Sequence, residues 1–268
     1  MYPIECRTWE QLLDHAEPME SSQMSISKQG NNFYLQTPLT STLQLDLAIS
    51  NMKKGGFKLA AFGTLMPSIF NSKAEGAAIC AKRTYNSMER VVELDGLLTK
   101  KTVDIPHEAE KQFQNLMMEV SCLVWAQALL GIVYDFVKAE GQGDVNVPFN
   151  IPQFRFVKAA IAIEQSSSAS VKKTSFLLEE VVDANVEGPF RKYINNVSPE
   201  PLLMETKADE ERAKFLAFSQ HVQYWKTKKQ AFVSDYQGMQ FFSFAQTLVK
   251  LLTGGNTLLS DPQISSAG

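Results

Sequence analysis

Cysteine is scarce: Cys6, Cys80 and Cys122 are the only three in 268 residues. Their odd number and wide spacing exclude a disulfide framework and fit a reducing compartment, so a cytoplasmic location is expected. An excess of charge of one sign is also missing. The chain carries 26 Lys and Arg against 29 Asp and Glu, a net charge of −3 and a pI near 5.7. That balance argues against a surface built to coat nucleic acid, so nucleic acid is not expected as a partner. Long hydrophobic runs are lacking as well. "VSCLVWAQALLGIV" (120–133) is interrupted by Gln127 and flanked by Glu119 and Asp135. It falls short of the roughly 20 apolar residues of a span and reads as a buried core helix, with no membrane partner. The N-terminal "MYPIECRTWEQ" has neither a basic nor an apolar region, so no secretory signal is expected.

What is present is 44% hydrophobic residues, enough for one substantial domain or two lobes. Residues 1–40 are mixed and polar and are expected to form an irregular arm. "TLQLDLAI" (42–49) alternates with period two, as a strand does, and "NMKKGGFK" (51–58) is a turn leading into a returning strand, "FKLAAFG" (57–63). "GAAICAKRTY" (76–85) is another short apolar run ending in charge. From about His107 to Ala139 the apolar positions form two helical stripes, which predicts a long helix buried on more than one side. Pro106 suits its first turn and Gly141 its exit. "FRFVKAAIAIE" (154–164) and "SFLLEEVVD" (175–183) read as strands separated by a flexible "QSSSASVKK". "DEERAKFLAFSQHVQYW" has helical spacing, and "FFSFAQTLVKLLTGG" reads as a helix or strand-like insert. The fold class expected is α+β, with a boundary near 180–190.

Phosphoryl transfer requires glycine-lined backbone near phosphates, a lysine, metal-binding carboxylates and two lobes. Candidates occur here in that order. Gly55 and Gly56 lie between two expected strands, although most Gly-Gly pairs are only turns. Lys82 ends the apolar "AICAK", where its stem can be held by packing; the alternative is an ordinary surface lysine. Asp235 in "SDYQG" and Asp261 in "LLSDPQI" each follow an apolar run and are expected at strand ends entering turns. With the amide oxygen of Gln237 they form a donor set of the kind Mg²⁺ prefers. The usual kinase signatures, H-R-D…N, D-F-G, A-P-E and V-A-I-K, are absent, and so is a Walker A loop.

Three segments occur together and in order: "FLLEEVVDANVEGPFRKYINN" (176–196), "FLAFSQHVQYWKTKKQAFVSDYQG" (215–238) and "LLSDPQI" (258–264). They resemble the atypical alpha-kinase family, relatives of myosin heavy chain kinase and elongation factor 2 kinase. The resemblance extends more loosely over 43–85, through "GGFK" and "AICAKRTY". It implies a two-lobed protein-kinase-like fold that transfers the γ-phosphoryl group of Mg·ATP to a serine or threonine of a protein substrate. A strand-rich N-lobe with one long helix would occupy 41–184 and a mixed C-lobe 185–268. Gly55, Gly56 and Lys58 would form the phosphate loop, with Lys58 standing where the family has arginine. Lys82 would contact the nucleotide phosphates; which helical acid, if any, of Glu108, Glu110 and Glu119 pairs with it is left open by the sequence. Glu179, with Glu180, would lie in the hinge against adenine. Asp235 and Gln237 would hold Mg²⁺, and Asp261 would be the acid nearest the transferred phosphate.

The sequence departs from the family pattern at zinc. His221 matches the histidine of a four-ligand Zn²⁺ site, but the downstream His and Cys ligands are absent from the sequence given. His221 is then a leftover ligand, half of a site, or a core histidine beside Phe218, Val222 and Trp225. Other features read as bland: "HEAEK" (107–111) as helix-start charge, "SSSAS" (166–170) as a flexible loop first and an autophosphorylation site second, and the aromatic and basic "YWKTKKQAF" (224–232) as a solvated loop or substrate-facing edge. The rival reading of the whole chain is a non-catalytic, α-rich binding or assembly protein.

Overall fold

A computed structural model describes residues 2–8, 39–45, 52–70, 76–94, 97–141, 151–164, 174–181, 190–241 and 256–265. The strands are β1 (Tyr2–Thr8), β2 (Leu39–Leu45), β3 (Lys53–Lys54), β4 (Lys58–Met66), β5 (Ala77–Leu94), β6 (Leu97–Pro106), β7 (Phe154–Phe156), β8 (Ala159–Glu164), β9 (Ser175–Glu180), β10 (Arg191–Ile194), β11 (Phe232–Phe241) and β12 (Asn256–Ser265). Among the described residues two helices join them, α1 (Ala109–Glu140) and α2 (Lys207–Lys226). The chain divides into two compact units, one of residues 1–120 with 158–181, the other of 121–157 with 182–268.

In the first unit the pairings close on themselves: β4–β2–β1–β8–β9–β5 and back to β4, every neighbour antiparallel. Closure removes the exposed edges that an open sheet would present. Because side chains alternate along a strand, one residue in two points inward. The inward set is Ile4 and Cys6, Leu43, Leu65, Ile79 and Ala81, Ala160 and Ala162, and Phe176 and Leu178, which form one buried cluster. Alanines on β8 facing larger residues on β9 let such a small barrel fill without voids. Gly63 faces inward where β2 and β4 meet, and a Cβ there would run into the Gln44 carbonyl.

Beyond Thr84, β5 leaves the barrel and pairs with β6 alone, from Tyr85↔Pro106 to Leu94↔Leu97. The second unit has a four-stranded sheet, order β10-β11-β12-β7, in which only β12 and β7 run parallel. Its aromatic cluster stacks Phe215 of α2 on Tyr134 of α1 and on Phe154 of β7, with ring centroids 6.0 and 5.8 Å apart. By length and composition alone α1 could cross a membrane; three of its polar side chains bond within the protein. Glu119 pairs with Lys58, Gln127 accepts from the Phe156 N–H, and Tyr134 bonds Pro152 and Phe154.

Several expectations are corrected. The first 40 residues are not simply an irregular arm: β1 is a strand of the barrel wall, between β2 and β8. "FRFVKAAIAIE" is two strands, β7 and β8, in different sheets. The compact units also differ from a cut at 184, since 121–157 belongs with the second. The second half of α1 goes with that unit because Gln127 and Tyr134 satisfy the backbone of β7. "QSSSASVKK" and most of "FFSFAQTLVKLLTGG" lie outside the described residues.

Candidate functional site

Lys82 and Glu179 occupy the outer face of the barrel wall. The β5–β9 register sets Lys82 opposite Leu177 and Cys80 opposite Glu179, so the two are diagonal neighbours within reach of long side chains. Lys82 Nζ lies 2.8 Å from Glu179 Oε2, and the residues are only 8% and 3% exposed. A pair this deep adds little net stability, because desolvating both charges offsets most of their attraction. The sequence left the helical acids Glu108, Glu110 and Glu119 as partners for Lys82. An acid beside it comes from the sheet, Glu179, and Glu119 reaches Lys58 at 2.6 Å. Glu180 turns the other way: its carboxylate accepts from the Lys158 N–H at 2.7 Å, and its own N–H donates to the Lys158 carbonyl.

Gly55 and Gly56 do lie in a tight hairpin, between β3 and β4, closed by the Gly55 N–H on the Lys58 carbonyl at 2.8 Å. Tyr85, at the start of the ribbon, donates its hydroxyl to the carbonyls of Gly55 at 2.7 Å and Gly56 at 3.3 Å. Lys54 sits over the Tyr85 ring, 5.2 Å from its centroid, and 2.9 Å from Asp104. Sequence reading quoted Tyr85 at the end of "AICAKRTY" but gave it no role; only the fold brings it under the loop.

In the second unit Asp235 and Asp261 are not in turns. Both lie inside long paired strands, where the register shifts twice: Val233↔Ile264 is followed by Asp235↔Gln263, and then by Gln237↔Ser260. Ser234 is the extra residue of the first bulge, and Asp261 and Pro262 together face Tyr236 at the second. Bulges of this kind re-aim side chains, and here they bring both acidic segments side by side. The Asp261 side chain lies outside the described residues. Asp235 is 5% exposed, and Lys192 Nζ on β10 lies 3.1 Å from its Oδ1 and 3.2 Å from its Oδ2. The Oδ2 contact has hydrogen-bond geometry, whereas the buried Oδ1 accepts no hydrogen bond among the described residues. Gln237, half-buried and two residues on, shares the face of Asp235. Across the sheet, Asn196 donates to Gln263 at 3.0 Å.

Helix α2 is anchored beside this sheet. Thr206 caps it by accepting the Asp209 N–H, and Asp209 binds Arg191 at 3.1 Å and Arg212 at 2.9 Å. His221 is exposed on this helix, so the reading of it as a core histidine is wrong. Among the described residues no three His, Cys, Asp or Glu side chains gather as a metal cage, of zinc or otherwise. Magnesium does not require one. It binds through one or two carboxylates plus phosphates, and the Asp235 carboxylate, whose Oδ1 accepts no hydrogen bond among the described residues although Lys192 lies 3.1 Å away, and the Gln237 amide are donors of that kind.

The sequence model of the alpha-kinase family, a class of protein kinases, matches residues 53–268, most of the chain. The chain belongs to the alpha-kinase family. No curated protein sequence matches it. Among solved structures, it is similar to the alpha-kinase domain of myosin heavy chain kinase A in complex with ADP. The two are 13% identical over 85% of this chain and 76% of that one, with a TM-score of 0.46. A point mutant of the catalytic domain of the same kinase is 16% identical over 85% and 77%, with a TM-score of 0.45.

Proposed function

We propose that this chain binds Mg·ATP and transfers its γ-phosphoryl group to a serine or threonine hydroxyl of a protein substrate. The observation that carries the reading is Lys82, a buried cation held at 2.8 Å by Glu179 in a chain of the alpha-kinase family. Lys82 binds the phosphates that remain as ADP, and Glu179 keeps its ammonium in place. The hairpin backbone of Gly55 and Gly56, with Lys58 at its end, approaches the phosphates where side chains would block them. Glu180, beside Glu179, marks the adenine side at the end of β9. In the second unit Asp235 and Gln237 would hold magnesium, which neutralises phosphate charge when bound. Asp261 would be the acid nearest the transferred phosphate. During transfer the substrate hydroxyl oxygen forms the new bond to γ-phosphorus, the bond to the β–γ bridging oxygen breaks, and the hydroxyl proton leaves to a carboxylate or water. Burial of Asp235 strengthens its electrostatic effect on that centre. The cysteines, three in number and widely spaced, favour a reducing, cytoplasmic setting.

The test is transfer of labelled γ-phosphate from Mg·ATP to the chain itself and to a basic protein substrate, beside Asp235→Ala and Asp261→Ala. Both variants should fold, by circular dichroism, and lose on the order of 100-fold or more in rate. Saturable ATP binding without transfer would make the chain a pseudokinase. Neither binding nor transfer by the folded parent would overturn the reading in favour of a binding protein.

A further inference from the structure

Among the described residues, strand β10 pairs with β11 only at Tyr236, Gln237 and Gly238. Val233, two residues before Asp235, therefore has no β10 partner. Its main chain is instead bonded by side chains of α2. The Val233 N–H donates to Gln223 Oε1 at 2.9 Å, and the Val233 carbonyl accepts from Gln220 Nε2 at 2.8 Å. Gln223 then uses its amide nitrogen to donate to the Tyr236 hydroxyl at 3.0 Å. One side chain thus ties down the residues on both sides of Asp235. Gln223, Val233 and Tyr236 are each 0% exposed, and Gln220 4%.

These bonds lie where the strand is least regular. The bulge at Ser234 breaks the ladder between Val233 and Asp235, and a second shift follows before Gln237. A bulged strand has a choice of registers, and a one-residue slip turns every side chain to the opposite face. Burying two glutamine amides is costly unless their bonds are made, and the Oε1 of Gln220 is itself buried without a hydrogen bond among the described residues. Leucine at either position would fill the space without that cost. What leucine could not do is bond the Val233 backbone and fix the register that turns Asp235 toward Lys192.

We propose that Gln223, through its paired bonds to Val233 and Tyr236 and assisted by Gln220, is a positioning residue that sets the register of the Asp235 carboxylate for phosphoryl transfer. The inference rests on the proposed kinase reading for its activity readout, and on the main chain alone for its structural one. The register is thus set from α2, by a side chain that is itself 0% exposed.

The experiment uses the full chain with Gln223→Leu and Tyr236→Phe, each checked for folding and assayed well below its unfolding midpoint. Amide exchange should show Val233 protected in the parent and exchanging about tenfold faster in Gln223→Leu, the scale of one lost hydrogen bond. In the transfer assay kcat should fall on the order of 100-fold for Gln223→Leu, the scale of a small misplacement of a reacting group. KM for ATP should stay near the parental value, and Tyr236→Phe, which keeps the Val233 bond, should lose less. A purely structural role would lower the unfolding midpoint and leave kcat intact, which would overturn the proposal. So would an unprotected Val233 amide in the parent. If the parent transfers no phosphate, the kinase reading fails on its own, and the exchange at Val233 still decides whether the glutamine holds the strand.

Discussion

The Tyr85 hydroxyl donates to the Gly55 carbonyl across 2.7 Å, so the first residue of the projecting ribbon restrains the loop between β3 and β4. A phosphate-binding loop is useful only if its backbone is held in one conformation before the nucleotide arrives. Tyr85→Phe keeps the ring under Lys54 and removes that restraint. ATP affinity, measured by titration calorimetry, should weaken about 3- to 10-fold, the worth of one such bond, with little change in kcat.

Removing one charge of the Lys82–Glu179 pair should cost far more than removing both. Lys82→Met leaves a carboxylate 3% exposed without its cation, and urea unfolding should show a loss of about 3–5 kcal/mol. The double variant Lys82→Met with Glu179→Leu should recover most of that stability. Neither should bind ATP as the parent does, so the two measurements separate fold from function.

Gly63→Ala should destabilise the barrel without touching the site. Its new Cβ would meet the Gln44 carbonyl, a backbone atom that can move only with β2. A loss of about 1–3 kcal/mol is expected, the cost of overpacking, read as a lower thermal midpoint. Gly56→Ala, where nothing lies within 4 Å of the new atom, should leave the midpoint nearly unchanged.

His107 predicts a pH dependence. Its Nε2 lies 2.7 Å from Asn86 Oδ1 and its Nδ1 2.9 Å from Thr84 Oγ1, a setting that suits the neutral ring. Burial, and then Lys111, hold its pKa below the ordinary 6.5. The unfolded chain therefore binds the proton more readily. This contribution to stability is complete above about 6.5, declines as pH falls toward the lowered folded value, and then levels off. The unfolding midpoint of His107→Gln, compared with the parent from pH 7.5 down to 5, should lack that component of the decline.

Local pattern revealed what is local. The alternation of "TLQLDLAI" marked β2, the two apolar stripes marked α1 to within two residues at its start, and the order of the short motifs pointed to the family. Elements defined by distant partners were hidden. β1 looks like polar arm because its strand character comes from pairing with β8, far along the chain. "FRFVKAAIAIE" is apolar throughout, so nothing in it shows where one sheet ends and another begins. The site divides the same way. Asp235, Gln237 and Lys82 could be named from their neighbours in sequence. The partner of Lys82 could not, because Glu179 reaches it diagonally across two strands whose pairing the sequence does not announce. Lys192 lay in a quoted motif without a role, and Gln220 and Gln223 look like ordinary polar positions of an exposed helix until β11 is packed against them.

Barrel closure also has a consequence for synthesis. β1, β2, β4 and β5 leave the ribosome early, but β1 needs β8, and β5 needs β9, which ends at Glu180. Until then the nascent chain carries two apolar strand edges with nothing to pair them, a state open to misassociation. All of α1 is made during that wait. Truncations that stop inside or just after α1 should therefore aggregate, while fragments that reach the end of β9 contain every strand needed to seal the wall.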